Sequence, residues 1–285
     1  MMALISEKQT QLFEEQGFLH IPNFYDIEKD LLPLQKDIYE ILQILLKAND
    51  LKHLCSDFSS ESFDAGYAEL IAKDRKLGGI IYDAVKQVPA FIRLVAHPDF
   101  SKIFKVLRVN SQPGIAGKGF GIRIDNPGET QYQAPWHQDY LAQLKSPDGL
   151  VFWSPLITVS QEMGPVEFCL GSHQLGPLPV YSEKEGNKQG AYALRLHQES
   201  EYIDRCQKQA PLATVGDLIV IDFLTIHRSG VNLSSRSRWS LQIRYFNFLH
   251  PFGINKGWPG LFGEGKALKD YCPELMVDAE KEYER

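Results

Sequence analysis

The chain has 285 residues, of which 44% are hydrophobic, 11% aromatic and 23% charged, a balance that allows a sizeable core and excludes disordered and fibrous classes. A net charge of −6 leaves no Lys/Arg excess to neutralise phosphates, so no nucleic-acid partner is expected. Cys55, Cys169, Cys206 and Cys272 form no C-x-x-C pair and suit neither a zinc ribbon nor a disulfide framework. With only a short apolar start over residues 1–5 and no run of membrane-spanning length, the expectation is a cytoplasmic protein of a reducing compartment without a membrane partner.

Ser6 and Gln9 fit a capping box, and Gly17 offers a helix stop, so residues 6–16 read as a helix followed by a strand at Phe18-Leu19-His20-Ile21. Leu34, Ile38, Leu42 and Leu45 recur at helical spacing within residues 31–47. Helical pattern continues over residues 63–96, carried by Tyr82, Val85, Phe91, Leu94 and Val95 and interrupted at Gly78-Gly79 and Pro89. From about residue 114 the texture turns to short β-branched and aromatic runs, at residues 149–154, 218–223 and 239–248. In the last run Leu241, Ile243, Tyr245 and Asn247 share one face, and Gln242, Arg244 and Phe246 the other. A helix-rich part over residues 1–110 bracing a β core at about 114–250 predicts a mainly β fold with flanking helices. The expected form is a double-stranded β-helix, the jelly-roll or cupin-like barrel, in one domain spanning residues 1–285.

Within Trp136-His137-Gln138-Asp139, a strand would turn His137 and Asp139 to one face and Gln138 to the other. His227 stands ninety positions on, after the Gly216-Asp217 turn and the apolar run that follows it. Two imidazoles and one carboxylate leave three octahedral positions of an iron(II) ion open on one face; zinc with the same ligands is the competing reading. Arg238, eleven residues beyond His227, has the planar fork that suits a dicarboxylic co-substrate, with Arg236 and Arg244 as competitors and Arg236 inward by parity if Arg238 is.

These pieces resemble the phytanoyl-CoA dioxygenase family of iron(II)- and 2-oxoglutarate-dependent oxygenases. The resemblance rests on Trp136-His137-Gln138-Asp139, on Gly164-Pro165 leading through Phe168 to Gly171-Ser172-His173, on Gly216-Asp217, and on His227-x-Ser229-Gly230-x-Asn232 with Arg238. Phe13-Glu14-Glu15-Gln16-Gly17-Phe18 resembles the family's opening, while Leu170 and Met163 depart from its usual Pro and Asn. The resemblance implies that His137, Asp139 and His227 bind iron(II), that Arg238 and Ser229 hold the distal carboxylate of 2-oxoglutarate, and that Trp153 lines the co-substrate pocket. His173 would be structural. It implies O2 as oxidant, ascorbate as a supporting reductant, and oxidation of an unactivated C–H coupled to decarboxylation of 2-oxoglutarate to succinate. The substrate it implies is a small molecule: a secondary metabolite, or an amino-acid-like or lipid-like compound.

Other classes have weaker support. Gly117-x-Gly119-x-Gly121 lacks the full dinucleotide spacing and reads as a glycine-rich loop; Gly260 through Gly265-Lys266 mimics a P-loop but has Ala267 where Ser or Thr should stand. A non-catalytic jelly-roll binding protein, and the same chemistry on a protein side chain, are the alternatives carried forward. Substrate-pocket walls are expected around Tyr67 to Tyr82, Tyr140 to Lys145 and Phe246 to Trp258.

Overall fold

The computed structural model describes residues 4–182, 193–259 and 266–277. The P-loop-like stretch at residues 260–265 lies outside them. The first helix, α1 (Glu7–Gln16), starts at the expected capping box between Ser6 and Gln9 and stops at Gly17, whose φ of 81° is the left-handed turn that leads directly into β1 (Phe18–Ile21). Four further helices build one layer after α2 (Leu32–Ala48): α3 (Tyr67–Lys73), α4 (Lys76–Val85), α5 (Pro89–Val95) and α6 (Pro98–Leu107). Pro89 and Pro98 open α5 and α6 at a position where no intrahelical N–H is needed. Along α2 the buried stripe is Leu34, Ile38, Leu42 and Leu46; Leu45, expected in it, is only partly buried.

The rest is mostly strand: β2 (Pro113–Asp125), β3 (Leu150–Pro155), β4 (Val166–Cys169), β5 (Val180–Ser182), β6 (Leu194–Leu196), β7 (Lys208–Gln209), β8 (Leu218–Asp222), β9 (His227–Ser229) and β10 (Arg238–Asn247). Short helices α7 (Tyr140–Gln143), α8 (Glu199–Ile203), α9 (Pro251–Lys256) and α10 (Lys266–Tyr271) complete the described elements. One antiparallel sheet runs β1-β8-β3-β10-β2, a second β7-β4-β9, and β5 pairs with β6. The architecture is therefore mixed helix and antiparallel sheet. The Gly117-x-Gly119-x-Gly121 stretch, expected to be a loop, lies within β2. Ile243 pairs with Phe120 and Tyr245 with Ile115, so residues 116–119 oppose Arg244 alone and bulge out of the strand.

The apolar runs in β3 and β8 are buried on both faces. Leu150 and Phe152, with Leu218, Val220, Leu241, Ile243 and Tyr245, meet the helix layer, where Phe100 stacks on Phe152 at 4.2 Å and the Tyr245 hydroxyl donates to the carbonyl of Val95 at 2.9 Å. Val151, Trp153, Ile219 and Ile221 turn to the opposite face and join a second cluster with Val166 and Phe168 of β4. This alternation gives the five-stranded sheet one structural face and one face available for a site. Cys169 and Cys206 form a disulfide, Cα to Cα 5.4 Å, against the expectation from their scattered spacing. Among the described residues no helix is long and apolar enough to cross a membrane.

Candidate metal centre and co-substrate pocket

The expected strand through Trp136–Asp139 is not formed. His137 makes a lone bridge to His227, the N–H of each donating to the carbonyl of the other at 3.0 and 3.1 Å, and the chain then turns helical at Asp139. Gln138 points away as parity requires, its amide spanning the carbonyls of Gly176 and Leu224 and the N–H of Leu178. On the partner side, Gly164 and Gly230 pack backbone to backbone so closely that a Cβ on Gly164 would lie 2.5 Å from the Gly230 carbonyl carbon. That approach lets Val166 pair with Ser229 and Phe168 with His227, which sets the register of the second histidine.

One ligand atom each from His137, Asp139 and His227 lies within 4.8 Å of the others, so these three could hold one metal ion. Each imidazole uses Nδ1 toward a main-chain carbonyl two residues back, Pro135 at 2.8 Å for His137 and Thr225 at 2.9 Å for His227. A carbonyl only accepts, so Nδ1 carries the proton and Nε2 keeps its lone pair for a metal. Burial, with His227 nearby, pushes the His137 pKa down to about 3, and burial lowers His227 as well; both rings are neutral. Burial alone would raise the Asp139 carboxyl, but the charge and hydrogen bond of the Arg244 guanidinium outweigh it and hold it below the usual range. Arg244 donates to Asp139 Oδ1 at 2.9 Å; Oδ2 has no hydrogen-bond partner among the described residues and lies 3.7 Å from His227 Nε2. An orphaned buried carboxylate oxygen beside two Nε2 lone pairs is what a divalent cation needs.

The three arginines separate cleanly. Arg236 precedes β10, so the parity argument fails, and its fork is taken by Asp64 at 2.6 and 3.1 Å. Arg244 holds Asp139. Arg238 is 0% exposed and lies on the face of β10 shared with Gln242 and Arg244. Its Nη2 meets Asp125 at 2.8 Å, while Nε and Nη1 lack partners among the described residues, as does the hydroxyl of Ser240 on the same face. Two unused guanidinium donors suit a carboxylate of a bound co-substrate.

A cavity of about 600 Å³ takes in the triad. Ser229 and Trp153 line it, as do Ile122, Val151, Val166 and Ile221; Arg238 is buried beyond its lining. His173 lies apart from the triad, with Nε2 donating to the carbonyl of Glu14. Of the three expected wall segments only Tyr82 reaches the cavity; its neighbours are instead Lys86, Lys118 and Arg123, the latter two on β2. Sequence reasoning missed Lys118 because the Gly117-x-Gly119-x-Gly121 stretch read as a loop, although the Gly-Lys-Gly spacing at its bulge was in view.

The antiparallel sheets thus bring a histidine, an aspartate and a histidine able to hold one metal ion together with a buried arginine that has donors to spare. The family model described as Phytanoyl-CoA dioxygenase (PhyH) matches residues 13–240, and the chain belongs to that family. Ectoine dioxygenase from Halomonas elongata is 25% identical over 258 residues, covering 82% of this chain and 68% of that protein. Among solved structures, EctD from S. alaskensis with bound Fe superposes with a TM-score of 0.57 at 17% identity, over 92% of this chain and 82% of that one. The epimerase SnoN in complex with Fe3+, alpha ketoglutarate and nogalamycin RO gives 0.53 at 18% identity, over 88% of each chain. The protein is an iron(II)- and 2-oxoglutarate-dependent dioxygenase with O2 as co-substrate. The iron reading thereby prevails over zinc, and an enzyme over a non-catalytic binding protein.

Proposed function

We propose that the protein oxidises an unactivated C–H bond of a small molecule in a jelly-roll barrel formed by its two main sheets within a single domain. His137, Asp139 and His227 hold iron(II), Arg238 and Ser229 receive the distal carboxylate of 2-oxoglutarate, and Trp153 forms a wall of the co-substrate pocket. The observation that carries this assignment is the coincidence of unsatisfied groups: Asp139 Oδ2 at the triad, and Arg238 Nε and Nη1 on the same sheet face. When bound, iron(II) and 2-oxoglutarate supply oxygen activation coupled to decarboxylation to succinate. The protein's own contribution is placement. The two Nδ1 hydrogen bonds fix the rings, Arg244 holds one oxygen of Asp139, and Val151, Val166 and Ile221 give part of the cavity wall an apolar surface.

Tyr82 of α4 and Lys86, the residue that caps its C-terminus, reach over Gly121 of β2, where an added Cβ would lie 3.6 and 3.5 Å from them. This cover by the helix layer supports a small-molecule substrate over a protein side chain: a secondary metabolite, or an amino-acid-like or lipid-like compound. The test is succinate formation from 2-oxoglutarate with iron(II) and ascorbate across a small-metabolite panel. Substrate-stimulated succinate lost in both His137→Ala and Arg238→Ala is the expected result; well-folded protein that takes up neither iron nor 2-oxoglutarate overturns it.

A further inference from the structure

The cavity carries a charge pattern opposite to that of the chain as a whole. Its wall includes Lys86, Lys118, Arg123, Arg228 and Arg244 against a single acid, Asp139, in a protein with a net charge of −6. The arginines are committed: Arg123 to Asp125 at 2.7 Å, Arg228 to Glu167 at 2.9 Å, Arg244 to Asp139 at 2.9 Å. The lysines differ. Lys86 lies 2.9 Å from Asp83, whose side chain is 73% exposed and therefore screened, and Lys118 has no ion-pair partner among the described residues.

Lys118 is also held in an unusual way. It stands in the bulge of residues 116–119 with φ 64°, a left-handed conformation that costs a lysine free energy, between Gly117 and Gly119. The Gly119 carbonyl accepts from Arg244 Nη1 at 3.3 Å, and a Cβ there would lie 2.7 Å from Gln143 Oε1, so the bulge is packed from behind and not a loose loop. On the α4 side, the Lys86 ammonium sits 3.8 Å from the centroid of the Tyr82 ring. Metal and co-substrate do not account for these two cations. The dianion of 2-oxoglutarate balances the two charges of iron(II), Asp139 balances Arg244, and the single charge of Asp125 is already shared by Arg123 and Arg238.

We propose that the substrate carries an anionic group, a carboxylate or a phosphoryl, which Lys118 and Lys86 receive at the cavity wall while the carbon to be oxidised lies toward the triad. This rests on the oxygenase reading above and adds the chemical class of the substrate. An anion gains from two cations on one cavity wall, the exposed Lys118 and the half-buried Lys86, and a neutral analogue does not.

The test uses protein loaded with nickel(II), as a non-turning-over stand-in for iron, and 2-oxoglutarate, whose uptake is titrated first. Hexanoate, hexyl phosphate and hexanamide are then compared as probes by calorimetry. At least one anion is expected to bind about tenfold or more tighter than the amide. That preference is expected to fall below about threefold in Lys118→Gln and Lys86→Gln, to persist in Lys118→Arg, and to be unchanged in Lys105→Gln on the exposed side of α6. Whether hexanoate or hexyl phosphate wins distinguishes the two anion types. Equal binding of the amide, binding of none of the probes, or an anion preference that survives in both glutamine variants overturns the proposal. Failure to take up nickel and 2-oxoglutarate in the first titration overturns the oxygenase reading itself, and is seen before any probe is added.

Discussion

His137 and His227 are joined through their main chains. Each donates its N–H to the other's carbonyl, and the ring centroids stand 4.3 Å apart. Removing an imidazole leaves this backbone pair intact. His137→Ala and His227→Ala are therefore expected to retain the wild-type circular dichroism spectrum while losing iron(II) affinity by about 100-fold or more. Anaerobic titration of metal-stripped protein measures this, and wild-type affinity in either variant would remove that histidine from the ligand set.

Arg244 grips one oxygen of Asp139 and leaves the other open toward His227. Replacing it by Met frees the carboxylate to rotate and removes the cation that offsets its burial. Iron(II) affinity is expected to drop by about 10- to 100-fold, with Arg244→Lys intermediate because one ammonium replaces the fork.

Arg238 and Arg236 are two residues apart and make opposite predictions. Arg238→Lys keeps a charge for Asp125 but loses the fork, so KM for 2-oxoglutarate is expected to rise about 30-fold or more, the equivalent of ~2 kcal/mol. Arg236→Lys disturbs only the link to Asp64 and leaves that KM unchanged. A steady-state comparison of the two, with 2-oxoglutarate varied, decides the assignment.

Asp217 accepts from the N–H groups of Thr214 at 2.9 Å and Asn23 at 3.0 Å, and pairs with His20. Burial acts to raise its carboxyl, but these donors outweigh it and hold it below the ordinary range. A lowered carboxyl contributes stability above its unfolded pKa and loses it as pH falls through the folded one. Asp217→Asn should therefore cost about 2 kcal/mol at pH 7 in urea denaturation, with the gap narrowing in acid below the usual carboxylate range. A gap independent of pH would show that the charge is not what matters.

Phe100 joins the helix layer to the sheet through its stack on Phe152 and is fully buried. Phe100→Ala is expected to cost about 3–5 kcal/mol of unfolding free energy, and to weaken iron binding only through loss of folded protein.

What was legible in the sequence was local or strictly periodic. The Ser6 and Gln9 cap, the stop at Gly17 and the two faces of β10 follow from spacing that neighbouring residues enforce. The triad was legible because residue type and order carried the chemistry. Its backbone was not: Asp139 reaches the site from a helical turn, since a single bridge to a strand ninety residues away replaces the expected strand. Arg236 escaped the parity argument because β10 begins two residues after it. The lysines and Arg123 of the cavity wall lie apart in sequence, at the end of α4 and on β2, and only the bulge and the packing of α4 on β2 assemble them. The Cys169–Cys206 pair is non-local in the same sense.

The Gly17 carbonyl accepts from both the N–H of Asp222 and the hydroxyl of Thr225, and β1 lies at the sheet edge against β8. The first strand therefore cannot find its partner until the segment leading to His227 has been synthesised. Closing so long a loop is slow, and the helix layer must wait with part of its apolar face uncovered. A nascent chain halted before residue 222 therefore has neither its edge strand in place nor the histidine that completes the candidate triad.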